Sequence, residues 1–142
     1  MIADEIPTPI VPEIIDENCL KFWEGVREKK LLLGHCTDCG EWHFYPRQRC
    51  PRCRSSAVEL APASGNATLL SYTAVYRPGR PSVWPVPYVL GFVKLAEGPR
   101  LLTVMNCDED ACAIGMPVTL GFRSVGSGDG TVWLHHFTPV RA

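Results

Sequence analysis

Four cysteines lie between Gly34 and Cys53, in the stretch GHCTDCGEWHFYPRQRCPRC, as two CxxC pairs, Cys36/Cys39 and Cys50/Cys53. Each pair can aim two thiolates at one point while its turn offers backbone N–H groups to sulfur. Two such pairs across a short loop make a four-sulfur tetrahedron, the ligand set of Zn2+, with metal–sulfur distances of ~2.3 Å. A redox CxxC occurs once, at a helix start beside a βαβ pattern. Here there are two pairs in a hairpin rich in Pro and Arg, so the spacing predicts a zinc ribbon. Four protein ligands leave no open position for water, and the expected role of the metal is therefore structural. His35 and His43 flank the cysteines and could each replace a ligand, but with four thiolates at hand they are expected to be structural histidines.

Other candidate chemistry is sparse. Arg47, Arg49, Arg52 and Arg54 crowd the second pair; they could offset the net charge of about −2 of a Zn(Cys)4 centre or dock a phosphate. Asp108, Glu109 and Asp110 form a carboxylate cluster that reads as the solvated cap of a short helix. His135 and His136 are consecutive on a candidate strand and should point to opposite faces, one buried and one wet. Cys19, Cys107 and Cys112 lack framework spacing and read as packing residues. No Ser/His/Asp or Cys/His arrangement, phosphate loop or open metal site supports an enzyme acting alone.

The elements that must hold these residues follow from the patterning. Pro7, Pro9 and Pro12 exclude an ordinary helix from Met1 to about Ile15 and leave an extended arm. Asp16 can cap a helix in which Cys19, Phe22, Trp23 and Val26 share one face. That face either packs on the chain's own core or meets a partner protein; with little apolar surface in the ribbon beside it, Phe22, Trp23 and Val26 are candidates for an interface. LLLGHC reads as the first strand of the ribbon and FYPRQRC as the return strand. ATLLSYTAVYR, YVLGFVKL, RLLTVMNC, PVTLGFR and TVWLHHF are five runs rich in β formers between Gly, Pro and Asp turns. DEDACAIGM, between the third and fourth runs, has room for one or two helical turns. Five strands with a helix there give the order of an OB-fold barrel. The loop Arg77–Pro87 is stiffened by four prolines and carries Trp84, which either folds onto the barrel mouth or touches a ligand.

The predicted organisation is mainly β: an arm and amphipathic helix over 1–30, a ribbon over 31–60 and a barrel over 61–142. A net charge of −1 over 142 residues gives weak bulk attraction to nucleic acid or anionic membrane. No stretch approaches the ~20 apolar residues of a membrane span. Unpaired cysteine usage fits a reducing compartment, and a cytoplasmic location is expected.

Three segments, FWEGVREKKLLLGHCTDCGEWHFYPRQRCPRC, PVPYVLGFVKLAEGPRLLTVMNCDED and IGMPVTLGF with a closing HHFTPV, together resemble the zinc-ribbon/OB-fold proteins that accompany thiolases and related acyl-CoA enzymes. The resemblance runs from about Pro7 onward. It implies a non-catalytic accessory subunit of a thiolase, thiolase-like aldolase or hot-dog enoyl-CoA hydratase, one that clasps its partner and helps shape the acyl-CoA site. Several members belong to steroid side-chain degradation, so a steroid or fatty acyl side chain is the implied substrate. Acyl-CoA contacts carry over onto Arg77, Arg80 and the neighbouring Trp84. The competing reading is a module for single-stranded nucleic acid, which both ribbons and OB folds can bind. Against it, the second and third barrel runs offer only Tyr88 and Phe92 as aromatics, and Lys occurs at four positions in the chain. A stacking platform would hold more.

Overall fold

The computed structural model of the chain describes residues 16–79, 84–125 and 131–140. The expected arm from Met1 to Ile15 and the candidate Arg80 lie outside the described residues. Helix α1 (Glu17–Arg27) starts where the sequence puts it: Asp16 is its N-cap and accepts a 2.7 Å hydrogen bond from the Cys19 amide. Glu17 and Lys21 pair at 2.8 Å one turn apart on the exposed side, a contact worth a few tenths of a kcal/mol. The helix ends as the Lys29 amide bonds Val26 O and the Lys30 amide bonds Gly25 O. Lys29 takes φ 63°, the left-handed turn that usually falls to glycine.

Three strands make the ribbon sheet, β1 (Leu32–Cys36), β2 (Trp42–His43) and β3 (Val58–Pro62), in the order β2-β1-β3 and all antiparallel. The expected return strand FYPRQRC does not form. Pairing is confined to Trp42 and His43; from Phe44 the chain leaves the sheet, since Pro46 has no N–H to give a ladder and the Phe44 and Tyr45 rings turn onto Phe22. The other edge of β1 is taken by β3, a strand the sequence reading leaves unassigned.

The five β runs become β4 (Asn66–Val75), β5 (Tyr88–Leu95), β6 (Arg100–Met105), β7 (Pro117–Val125) and β8 (Val132–Pro139). They close into a barrel in the order β4-β5-β6-β8-β7. Every ladder is antiparallel except that between β6 and β8, which is parallel and only two rungs long. This is the five-strand OB-fold. Between β6 and β7 lies a single 3-10 turn, Glu109–Ala111, without a side-chain cap from Asp108. Among the described residues, no helix is long and apolar enough to cross a membrane.

One apolar core joins all of these parts. Leu69, Val93, Leu95, Val118 and Phe137 fill the barrel, Leu31 and Leu33 extend the cluster below the ribbon, and Phe22 and Val26 belong to it as well. Phe22 is 1% and Val26 0% exposed, so neither is available as an interface residue. The reason is that the helix does not lack a local cover: Phe44 and Tyr45 from the ribbon and Trp133 from β8 close over it. Trp23, edge-on to Phe22 at 5.2 Å, remains half-buried. Burying Phe22 and Val26 contributes about 1.5–3 kcal/mol each.

Candidate functional site

Two turns of matching design hold the four thiols. At the first, the Cys36 amide bonds Glu41 O and the Gly40 amide returns to Cys36 O; at the second, the Cys50 amide bonds Ser55 O and the Arg54 amide returns to Cys50 O. The residue after each second cysteine sits in the left-handed region, Gly40 at φ 77° and Arg54 at φ 63°. The four Sγ atoms lie within 4.8 Å of one another, with Cys36–Cys53 and Cys39–Cys50 each at 3.6 Å. A tetrahedron with ~2.3 Å metal–sulfur bonds has sulfur edges of ~3.8 Å, so the cluster already has the size of a Zn(Cys)4 site. Cys36 and Cys50 face inward, and Cys39 and Cys53 are exposed.

The protein surroundings alone poise the four thiols unevenly. Amide hydrogen bonds from Cys53 and Arg52 bring Cys50 down to about 7 against the cost of desolvation. At Cys39 the Glu41 amide bond favours the thiolate, but burial and the surrounding sulfurs outweigh it and push this thiol up to about 12. A dication removes that conflict by stabilising all four thiolates together. Ser55 Oγ donates to Asp38 and ties the second turn to the first. Of the four arginines, Arg52 is paired with Glu41 at 2.9 Å and Arg49 donates to Arg54 O. Both serve as internal braces of the ribbon.

Neither histidine joins the cluster. His35 stacks on Trp42 at 4.1 Å. His43 is 6% exposed, and its Nε2 accepts from the Arg47 amide at 3.3 Å. Its ring lies flat against Gly34, where a Cβ would come within 2.1 Å of Nε2. Burial pulls the His43 pKa below its ordinary value, which keeps the ring neutral beside the arginines. The requirement for glycine at 34 escapes a sequence reading, because it arises from a residue across the sheet.

On the barrel, Trp84 is half-buried with the Arg123 guanidinium 5.3 Å from its ring centre, which places Trp84 against the barrel wall. It rims a cleft of about 200 Å3 lined also by Leu90, Leu102, Thr103, Val104, Leu134 and His135. Arg77 is exposed on the loop after β4. The two histidines point to opposite faces as expected, His135 inward and His136 outward, but His136 is itself partly covered rather than wet. His135 points inward, shares a 3.1 Å hydrogen bond with Thr103 Oγ1, and is lowered by burial to about 4. His136 points outward but lies over Gly121, where the missing Cβ leaves room for its ring. Cys107 and Cys112 meet at 3.4 Å at one end of the barrel. Burial and that neighbour push the Cys107 thiol up to about 12, so it packs as a neutral thiol. The acidic cluster is exposed around the 3-10 turn, with the Tyr76 hydroxyl donating to Glu109 at 3.0 Å.

Residues 23–59 match the rubredoxin-like zinc ribbon domain of ChsH2, and residues 61–123 match the C-terminal OB-fold domain of ChsH2. A DUF35 domain-containing scaffold protein of Methanothermobacter thermautotrophicus is 32% identical over 75% of this chain and 82% of its own length. The chain belongs to the DUF35 family. Among solved structures, the DUF35 chain described as an Ltp2-ChsH2(DUF35) aldolase superposes with a TM-score of 0.76 at 28% identity, covering 90% of this chain and 98% of that one. A probable enoyl-CoA hydratase alpha subunit of Thermomonospora curvata is 34% identical over 70% of this chain, and this DUF35 chain spans 31% of its length. DUF35 membership accounts for both the ribbon and the barrel.

Proposed function

We propose that the protein is a non-catalytic accessory subunit of an acyl-CoA enzyme, of the thiolase, thiolase-like aldolase or hydratase kind. The observation that carries this reading is the likeness over nine-tenths of the chain to the DUF35 chain of an aldolase complex. A hydratase alpha subunit that contains a comparable segment supports it. The described site chemistry agrees, since a metal held by Cys36, Cys39, Cys50 and Cys53 has all four positions filled by protein and can fix shape but not activate water. Zinc then sets the angle between helix and barrel. In the three-part organisation, 31–60 holds the helix of 1–30 in place on the barrel, and 61–142 borders the partner's acyl-CoA site, with Arg77, Arg80 and Trp84 as contacts to the CoA. A steroid or fatty acyl side chain is the substrate class, and the cytoplasm is the working place.

Affinity isolation of the tagged protein from its native host, with mass-spectrometric identification of its companions and absorbance at 260 nm, tests the reading. A stoichiometric thiolase-like or hydratase-like protein is the expected result. Recovery of RNA or DNA without such an enzyme overturns it.

A further inference from the structure

On the outer side of the barrel, Leu90 of β5 stands opposite Val104 of β6, and Phe92 stands opposite Leu102 two residues on. Phe92 is 37% and Leu102 62% exposed. A rank of aliphatic and aromatic side chains on the solvent face of a sheet is where polar residues would ordinarily alternate; a contiguous patch of this kind marks an interaction site. The next outward pair is Lys94 opposite Arg100, both exposed. Among the described residues, neither is in a salt bridge. Like charges directly across a ladder repel, and the repulsion is relieved when carboxylates approach from outside.

The patch runs on into the cleft. β6 and β8 pair only at Val104/His136 and Met105/Phe137; toward Leu102 they part, and the gap of about 200 Å3 is bordered by Trp84, Leu102 and Leu134. It has room for one large apolar side chain, the kind of central anchor on which protein interfaces depend. Thr103 Oγ1 and His135 Nδ1, at the same gap, are hydrogen-bonded to each other, so an apolar guest leaves neither of these two atoms unpaired.

We propose that this face is the surface on which the partner enzyme docks, with an apolar anchor from the partner seated in the Trp84 cleft and a partner carboxylate cluster over Lys94 and Arg100. The proposal rests on the accessory-subunit reading above. It moves the interface from the helix, where Phe22 and Val26 are interior, to the barrel wall. A single-stranded nucleic acid fits the same face less well, because Leu90, Leu102, Val104 and Leu134 give bases nothing to stack on and, among the described residues that line it, Phe92 is exposed while Trp84 is half-buried with Arg123 beside its ring.

The test compares tagged wild-type protein with Leu102→Arg and with Lys94→Glu/Arg100→Glu, each isolated from the native host. Quantitative mass spectrometry reads the co-purified enzyme, with zinc content and far-UV circular dichroism as controls for folding. Leu102→Arg should cut recovery of the enzyme by about tenfold or more, as for an interface centre. The charge reversal should cut it by about threefold to tenfold, with a weaker salt dependence than wild type, as for a charged rim. All three altered side chains are exposed, so folding should persist; should one variant misfold, the other decides. If wild type brings no acyl-CoA enzyme, the accessory-subunit reading falls and this proposal with it. If wild type brings the enzyme and both folded variants do so equally, only the docking face is overturned. Nucleic acid captured by wild type and lost on charge reversal also overturns it.

Discussion

The ribbon and the barrel hold themselves together by different means. The barrel closes five ladders around Leu69, Val93, Leu95, Val118 and Phe137. In the ribbon, two of the three strands are five residues long and the third has two, and among its most deeply buried side chains are two of the thiols, Cys36 and Cys50. A unit this small cannot bury enough apolar area alone, and the metal supplies what the core cannot. The contrast teaches where each half is vulnerable: the ribbon to loss of a ligand, the barrel to loss of volume. Helix α1 complicates it, because Phe22 is packed by ribbon aromatics while belonging to the same core as the barrel residues.

The sharpest way to break the contrast is Cys50→Ser. Structural zinc in small modules contributes on the order of 10 kcal/mol, so this variant should lose its zinc and the amide protection of residues 34–58 while β4–β8 keep theirs. Zinc analysis with hydrogen exchange reads both, and simultaneous loss of barrel protection would make ribbon and barrel one cooperative unit. Phe22→Ala comes next. It should cost about 3–5 kcal/mol in urea unfolding with zinc still bound, and a cost below 1 kcal/mol would mean that the helix contributes little to the shared core.

Acid should separate the halves more gently. His135 is lowered to about 4 by burial, against an ordinary value near 6.5. Between those values the unfolded chain binds the proton and the folded chain does not, so stability rises with pH in this window and falls as pH drops from about 6.5 toward 4, by at most ~1.4 kcal/mol per pH unit for this group. Urea midpoints of wild type and His135→Gln should converge as pH falls through the window; parallel curves would remove His135 as the cause. The smallest effect compares the two turns of the ribbon. Gly40 and Arg54 share a left-handed backbone, which costs a residue with a Cβ about 1 kcal/mol. Arg54→Gly should gain a few tenths of a kcal/mol after the extra entropy of glycine in the unfolded chain is subtracted. A loss would show that the stem of Arg54 packs, or that its charge matters to the thiolates.

What could be seen in the sequence was local. Two CxxC pairs fix their own geometry, Asp16 announces the helix start, and the five β runs carry their period between turn residues, so metal ligands, helix and barrel strands were all legible. The failures were of pairing and cover. Periodicity put Phe22 and Val26 on an apolar face, but it could not say that β8, more than a hundred residues on, would cover them. VELAP is short and only half-buried, so it carried no strand signal, although β1 depends on it. The cleft beside Trp84 exists because a parallel ladder stops after two rungs, a property of barrel closure that no single run contains.

The contact of α1 with β8 also sets an order of events. Lys29 lies 5.2 Å from the Trp133 ring, and the ribbon's cysteines come between the two in the chain. During synthesis the ribbon can load its metal while β8 is still in the ribosome, whereas the helix gains its full seat only when that strand emerges, since a contact of such long range forms late. For that interval the side of the helix that β8 covers is open on a nascent chain, with Phe22 held only by Phe44 and Tyr45 of the ribbon. A chaperone that engages the protein would have its longest opportunity there, at the helix, before the last strand arrives.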